Sequence, residues 1–151
     1  MNNLFDISSK IALVTGSGQG IGYTLAKGLA NAGCTVVLND IVEERLNSSV
    51  NKLKSEGYNA HGVVFDVTNE DQIISAVEKV KNEVGEIDIL VNNAGIQIRG
   101  PLEDFKLDDW NKLLSINLTG AFLVSKSVVK NMMAKKAGKI INICSIFSGL
   151  G

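Results

Sequence analysis

Residues 13 to 22 decide how this chain folds, and they read Leu13-Val14-Thr15-Gly16-Ser17-Gly18-Gln19-Gly20-Ile21-Gly22. The residues before the first glycine end a short apolar run rich in β-branched side chains, which predicts a strand. Beyond the glycines, Ile21, Leu25 and Leu29 recur at helical spacing and predict one apolar face of a helix. The stretch therefore predicts a strand, a tight glycine turn and a helix in immediate succession.

The rest of the chain repeats this alternation of strand and helix. The predicted strands cover residues 10–15, 35–39, 62–65, 87–92 and 139–144. Helical periodicity fills the intervals, with a capping box predicted at Thr68 and Asp71 and one long helix predicted over residues 107–133. The strands are nearly continuous apolar runs, which is typical of a parallel sheet covered on both faces. We therefore expect an α/β fold, a Rossmann-like, doubly wound parallel sheet in three α/β/α layers, incomplete after the fifth strand.

Composition excludes several classes of function. The 151 residues are 45% hydrophobic and 21% charged, which suits one soluble domain over residues 1–151, incomplete at its C-terminus. A formal net charge of −1 gives no basic surface for nucleic acid. We find no uninterrupted apolar run near the ~18 residues that span a bilayer, and the polar N-terminus does not resemble a signal peptide. The sequence thus predicts neither a membrane nor a nucleic-acid partner.

The cysteines and the histidine indicate a cytoplasmic protein without a metal site. Cys34 and Cys144 lie inside apolar runs, so we expect buried free thiols in a reducing compartment. His61 has no second ligand at metal-binding spacing.

The glycine turn predicts a binding site for a pyrophosphate. Glycines let the backbone approach phosphate oxygens closely, and the N-terminus of the following helix offers free N–H groups and a positive dipole. The chain is not a P-loop, because no Lys-Ser/Thr pair follows the glycines. Glycines that serve the turn alone are the alternative. The predicted contacts are Gly16, Ser17, Gln19, Gly20, Ile21 and Gly22.

Asp40 follows the second predicted strand and points to a dinucleotide. A carboxylate at this place accepts hydrogen bonds from the adenosine ribose and repels a 2′-phosphate. Basic side chains are absent after it until Arg45, so we expect NAD to be preferred over NADP. A solvated helix cap is the alternative reading of Asp40.

Four motifs at the predicted strand ends and one helical asparagine resemble the short-chain dehydrogenase/reductase family. The glycines fit T-G-x-x-x-G-x-G, Asn92-Asn93-Ala94-Gly95 matches N-N-A-G, and Cys144-Ser145 matches the end of N-x-S-S with cysteine for the first serine. The resemblance implies that Asp66 and Val67 contact the adenine and that Asn93, Ala94 and Gly95 border the cofactor.

Two catalytic roles also follow from the resemblance. It implies that Ser145 hydrogen-bonds the substrate oxygen and that Asn117 holds a water in a proton relay. Alternatives remain for two of these residues: Asp66 as a simple turn residue, and Asn117 as a buried asparagine bonded to backbone.

The resemblance implies an oxidoreductase that moves a hydride between a nicotinamide and a small hydroxy or keto substrate. The wording of the strand ends is most similar to gluconate 5-dehydrogenases, then to acyl-carrier-protein reductases, so gluconate and 5-ketogluconate are candidate substrates. The family's Tyr-x-x-x-Lys pair would follow Ser145, but the sequence given ends at Gly151. Tyr23 and Lys27 match that spacing only by chance, because they lie directly after the glycine turn. The competing hypothesis is an inactive dinucleotide-binding fragment.

The early end of the sheet predicts association. The fifth strand would be an open edge and the long helix would lack a neighbour, so we expect a homo-oligomer or a marginally stable chain.

Overall fold

The computed structural model describes residues 6–145, in which five strands form one parallel sheet. They are β1 (Ile11–Val14), β2 (Thr35–Asp40), β3 (Ala60–Val64), β4 (Ile89–Asn92) and β5 (Lys139–Asn142). Their order is β3-β2-β1-β4-β5, so the chain winds outward from β1 in both directions. This confirms the doubly wound sheet predicted from the sequence. The first five residues of the polar N-terminal stretch and residues 146–151 lie outside the described part.

Helices cover the two faces of this sheet. They are α1 (Gly20–Asn31), α2 (Glu43–Ser55), α3 (Glu70–Glu83), α4 (Leu107–Leu114) and α5 (Ala121–Lys135). A short 3₁₀ turn spans Leu102–Asp104, and a π-helix, Ser115–Gly120, joins α4 to α5.

Two hydrophobic cores explain why the strands are continuously apolar. Ala12 and Val14 of β1 pack with α1 and α2 on one face of the sheet. Leu13, between them, packs with α3 and α5 on the other face. Because successive strand side chains point to opposite faces, a strand covered on both sides needs an apolar residue at every position.

The edge strands do not follow this rule. In β3 only Ala60 and Val63 are buried, and all four residues of β5 are exposed. Cys34 is buried as predicted, and burial raises the pKa of its thiol. The prediction for Cys144 was wrong: it is a free, exposed cysteine, because it follows β5 at the open side of the sheet.

The helical predictions needed two corrections. The cap of α3 is Asn69, whose side-chain oxygen accepts a hydrogen bond of 3.0 Å from the Gln72 N–H. Thr68 instead donates its hydroxyl to Asp66 at 2.8 Å, so it takes no part in the capping box that we expected. The single long helix is interrupted by the π-helix, which includes Asn117.

The run Leu107–Lys135 is, by length and composition alone, long and apolar enough to cross a membrane. The sequence prediction had found no such run, since Lys126 and Lys130 interrupt it. In the structure Val124 and Val128 of this run are buried in the core beneath the sheet. We therefore regard it as a core helix of an α/β domain.

Candidate functional site

A cleft opens at the carboxyl ends of the strands, where the strand order reverses between β1 and β4. Ligands of open α/β sheets bind at this kind of position. The cleft encloses a cavity of about 290 Å³. Of the predicted cofactor residues, those that line it are Gly16, Gln19, Asp40, Asp66, Val67, Asn93, Ala94 and Gly95.

The glycine loop forms one wall and suits an anion. Gly16 and Gly20 have φ angles of +61° and +60°, which favour glycine. A Cβ on Gly16 would lie 2.8 Å from the Ala94 Cα, so the two backbones touch with no side chain between them. Within the described residues, α1 starts without a side-chain cap or an acidic residue in its first turn, whereas α2 and α3 begin with acidic residues. The N-terminus of α1 is thus left available to a negatively charged ligand.

Some predicted loop residues do not line the cavity. Ser17 is buried, donates its N–H to the Asn39 carbonyl at 2.8 Å and donates its hydroxyl to the Val14 carbonyl at 2.7 Å. It therefore fastens the loop from behind, which corrects its expected place at the cofactor. Ile21 is 69% exposed in the first turn of α1, while Gly22 is buried against the loop.

Thr15 is a residue whose role the sequence analysis missed. Its buried hydroxyl oxygen accepts hydrogen bonds from the N–H groups of Asn93 and Ala94, both at 3.0 Å. In return, Asn93 donates its side-chain amide to the carbonyls of Thr15 and Gly16 at 3.0 and 3.1 Å. The two walls of the cleft are clasped by this exchange. The available signal was a threonine that ends an apolar strand directly before the glycines.

Asn39 is a second such residue, with only 1% of its surface exposed. Its amide nitrogen donates to the carbonyls of Phe65 at 3.0 Å and Val63 at 3.3 Å, and its oxygen accepts the Gly16 N–H at 3.3 Å. It therefore joins β2, the end of β3 and the glycine loop. Asp66 follows on the floor of the cleft, where its carboxylate accepts the N–H of Thr68 in a tight turn.

Asp40 is at the end of β2 as predicted, but it is not an unpaired carboxylate. It is 4% exposed and receives both the Nε and the Nη2 groups of Arg45, from the first turn of α2. Burial by itself raises the pKa of Asp40, but the bonds from Arg45, Val42 and Gly18 outweigh it and hold that pKa below its ordinary value. The sequence analysis did not foresee that Arg45 would reach this carboxylate and line the cleft.

Asn117 lies in the π-helix and is exposed, so the prediction of a buried asparagine was wrong. Its side chain accepts the Ile96 N–H at 2.8 Å and donates to the Ile96 carbonyl at 2.9 Å. The side chain thus pairs with backbone, as the alternative reading expected, and ties the segment after Gly95 to the helix. π-helical turns frequently lie at functional sites.

Ser145 follows β5 on the same edge of the sheet and is exposed. Parallel pairing sets Asn142 beside Asn92, and their side chains share a hydrogen bond of 2.8 Å. Ser145 is three residues beyond Asn142. The end of β5 therefore runs toward the cleft, alongside the segment that begins with Asn93.

Comparison with known proteins identifies this arrangement. The family model described as short chain dehydrogenase matches residues 10–151. The chain belongs to the short-chain dehydrogenase family. Its N-N-A-G segment, glycine loop and π-helical asparagine are the features of a short-chain dehydrogenase that the sequence had indicated.

Relatives in this family share close to half of the residues. The chain is 48% identical to a 5-keto-D-gluconate 5-reductase of Escherichia coli, over 100% of the chain and 59% of the relative. It is 49% identical to a 2-dehydro-3-deoxy-D-gluconate 5-dehydrogenase of Formosa agariphila, over 99% of the chain and 57% of the relative. The chain thus spans less than two thirds of the length of these relatives.

A solved structure has the same fold. A gluconate 5-dehydrogenase from Burkholderia cenocepacia, in complex with NADP and tartrate, superposes with a TM-score of 0.93 at 48% identity. The match covers 97% of this chain and 58% of that one. This short-chain dehydrogenase family binds a nicotinamide dinucleotide, and the side-chain-free approach at Gly16 and the uncapped start of α1 fit such a ligand.

Proposed function

We propose that this chain is the dinucleotide-binding part of an oxidoreductase that moves a hydride between a nicotinamide cofactor and a hydroxy or keto substrate. The observation that carries the proposal is the cleft itself. It combines an anion-accepting helix start with a carboxylate at the end of β2, at the place where α/β sheets bind dinucleotides.

The residues around the cleft divide into binding and chemical roles. Gly16, Gln19 and the first turn of α1 hold the pyrophosphate, Asp40 faces the adenosine ribose, and Asp66 with Val67 borders the adenine. The bound dinucleotide donates or accepts the hydride at its nicotinamide ring. The other proposed binding residues are Ser17 through its backbone, Gly20, Ile21, Gly22, Asn93, Ala94 and Gly95.

Ser145 and Asn117 carry the proposed chemistry. The Ser145 hydroxyl donates a hydrogen bond to the substrate oxygen and stabilises the charge that develops there. The side chain of Asn117 is committed to Ile96, so its contribution to the proton relay is to fix the π-helix beside the cleft. Transfer also requires a proton donor, which we place in a Tyr-x-x-x-Lys pair outside the given sequence.

The relatives support a sugar-acid substrate. Those described above are named for reactions of gluconate derivatives, so we propose gluconate and 5-ketogluconate as the substrate class. For the cofactor we propose NAD, held through Asp40, together with NADP for the reason developed in the next subsection.

The experiment that tests this function combines binding with turnover. Calorimetric titration of the purified chain with NAD and NADP should show saturable binding, and no binding would contradict the proposal. Reduced cofactor is then mixed with 5-ketogluconate and its oxidation followed by absorbance. The intact mass is measured on the same sample. Binding without turnover at a mass near 16.1 kDa supports instead the inactive dinucleotide-binding fragment.

We also propose a cytoplasmic homo-oligomer. Cys34 and Cys144 are both free, as expected of a reducing compartment. Several large apolar side chains are exposed on β5 and on the helical run from α4 to α5. They are Leu107, Trp110, Leu118, Phe122, Met133, Ile140 and Ile141.

Light scattering of the 151-residue chain is expected to show a mass above that of one copy, because apolar surface of this extent favours association. A polar variant of the helical surface, Leu118→Gln with Phe122→Gln, should shift the distribution toward the monomer. A cooperatively melting, monodisperse monomer in the starting protein would contradict this expectation.

A further inference from the structure

The carboxylate of Asp40 has no acceptor capacity left for a ribose. Its Oδ1 accepts the N–H of Val42 at 3.0 Å and the Nη2 group of Arg45, and its Oδ2 accepts the Arg45 Nε at 3.0 Å. Gly18 adds a backbone hydrogen bond to the same group. An ionised carboxylate accepts about four hydrogen bonds in total. Ribose hydroxyls can therefore bind Asp40 only by displacing some of these donors.

Arg45 is the donor that can move. The N–H groups of Gly18 and Val42 belong to the backbone, whereas the Arg45 side chain is 35% exposed at the rim of the cavity. A guanidinium carries more N–H groups than the two that face Asp40, and its geometry matches a phosphate. It can leave part of the carboxylate, or bridge from it to a second anion.

The base of Arg45 is held in place. Ser49, one helical turn further along α2, donates its hydroxyl to the Gly18 carbonyl at 2.7 Å. Gly18 in turn packs so closely on Asp40 that an added Cβ would overlap the Oδ2 atom. Because α2 is bonded to the glycine loop, the guanidinium is presented at a fixed distance from the adenosine end of the cleft.

The charge at this end of the cleft differs from that of an unpaired aspartate. Asp40 alone would repel a 2′-phosphate, which is the basis of the NAD preference expected from the sequence. Paired with Arg45 it forms a neutral unit, and the cation is its outer, more exposed member. A 2′-phosphate entering from solvent therefore meets the guanidinium before the carboxylate.

We propose that Arg45 is a specificity-determining residue that lets this site accept NADP in addition to NAD. Its guanidinium binds the 2′-phosphate of NADP, and with NAD it yields part of Asp40 to the ribose hydroxyls. This inference rests on the proposed function, since it concerns the choice between the two dinucleotides at the same site.

The test is calorimetric titration of the 151-residue chain with NADP and with NAD, in parallel with Arg45→Ala, Arg45→Lys and Lys54→Ala. Lys54→Ala removes the same charge from the exposed end of the same helix, away from the cleft. The starting protein is expected to bind both dinucleotides. Arg45→Ala should weaken NADP by about tenfold or more, the equivalent of a lost charge-assisted hydrogen bond, while NAD affinity stays equal or rises.

The control variants sharpen the result. Lys54→Ala should leave the ratio of the two affinities unchanged, and Arg45→Lys should retain part of the NADP affinity because the charge remains without the fork. Arg45→Lys also keeps the test decisive if Arg45→Ala does not fold, as judged by circular dichroism. An equal loss of NAD and NADP affinity in the Arg45 variants, or a starting protein that binds NAD alone, would overturn the inference and leave the proposed function intact. Failure of both dinucleotides to bind the starting protein would overturn both.

Discussion

Replacing Gly22 with alanine is expected to abolish dinucleotide binding and to lower the free energy of unfolding by about 3 kcal/mol. A Cβ at this position would overlap the Gly16 carbonyl oxygen and lie 2.5 Å from the Asn93 Nδ2. Neither neighbour can withdraw, since Gly16 belongs to the loop backbone and Asn93 is hydrogen-bonded to Thr15 and Gly16. The first turn of α1 must therefore shift away from the loop, and the phosphate cradle between them is lost.

Gly28→Ala is the matched control for this prediction. Gly28 lies in the same helix, and an added Cβ would meet nothing within 4 Å. Alanine is the better helix former, so this variant should be more stable by about 0.5 to 1 kcal/mol and should bind NAD and NADP normally. Denaturant unfolding gives the stabilities and calorimetry the affinities. If Gly22→Ala binds either dinucleotide as tightly as Gly28→Ala does, the proposed place of the pyrophosphate is wrong.

Hydrophobic periodicity was enough to predict the sheet and the position of the cleft. Continuous apolar strands require cover on both faces, and parallel strands bring their carboxyl ends to one edge. Gly16, Asp40 and Asn93 each follow a strand, so the sequence alone predicted that they meet. The structure confirms that all three line one cavity.

Side-chain pairing was beyond the reach of the sequence. Arg45 was read as too distant from Asp40 to matter, yet the start of α2 returns it to the carboxylate, so that a five-residue separation becomes a direct bond. Thr15 was recognised only as part of a motif, because its two acceptor contacts come from residues nearly eighty positions away. Such contacts depend on the packed backbone and leave no local pattern.

Helix irregularity was equally hidden. The segment around Asn117 has an ordinary apolar helical pattern, and nothing in that pattern distinguishes a π-helix from an α-helix. The expected burial of Asn117 followed from its apolar neighbours, whereas in the structure the side chain is exposed and bonded to Ile96. Cys144 was misjudged for a related reason: an apolar strand predicts burial only where another layer covers it.

Asn39→Leu is expected to lower the free energy of unfolding by about 3 kcal/mol, although the two side chains are similar in size. The carbonyls of Phe65 and Val63 and the N–H of Gly16 would lose their partner in a region closed to water. Buried polar groups without partners cost about 1 to 3 kcal/mol each, and partial relaxation reduces the sum. For a domain of this size the melting temperature should fall by about 10 °C.

Asn59→Leu separates this effect from the simple loss of a carboxamide. Asn59 is exposed and donates one hydrogen bond, to the Thr35 hydroxyl at 2.9 Å, so its replacement should change stability by less than about 0.5 kcal/mol. Affinity gives a second readout, since Asn39 positions Gly16 and the strand end that leads to Asp66, and neither group contacts Asn59. We therefore expect Asn39→Leu to weaken dinucleotide binding at temperatures where it is still folded. Unchanged affinity in the folded variant would mean that the glycine loop keeps its shape without the bond to β2, and the clasp would then serve stability alone.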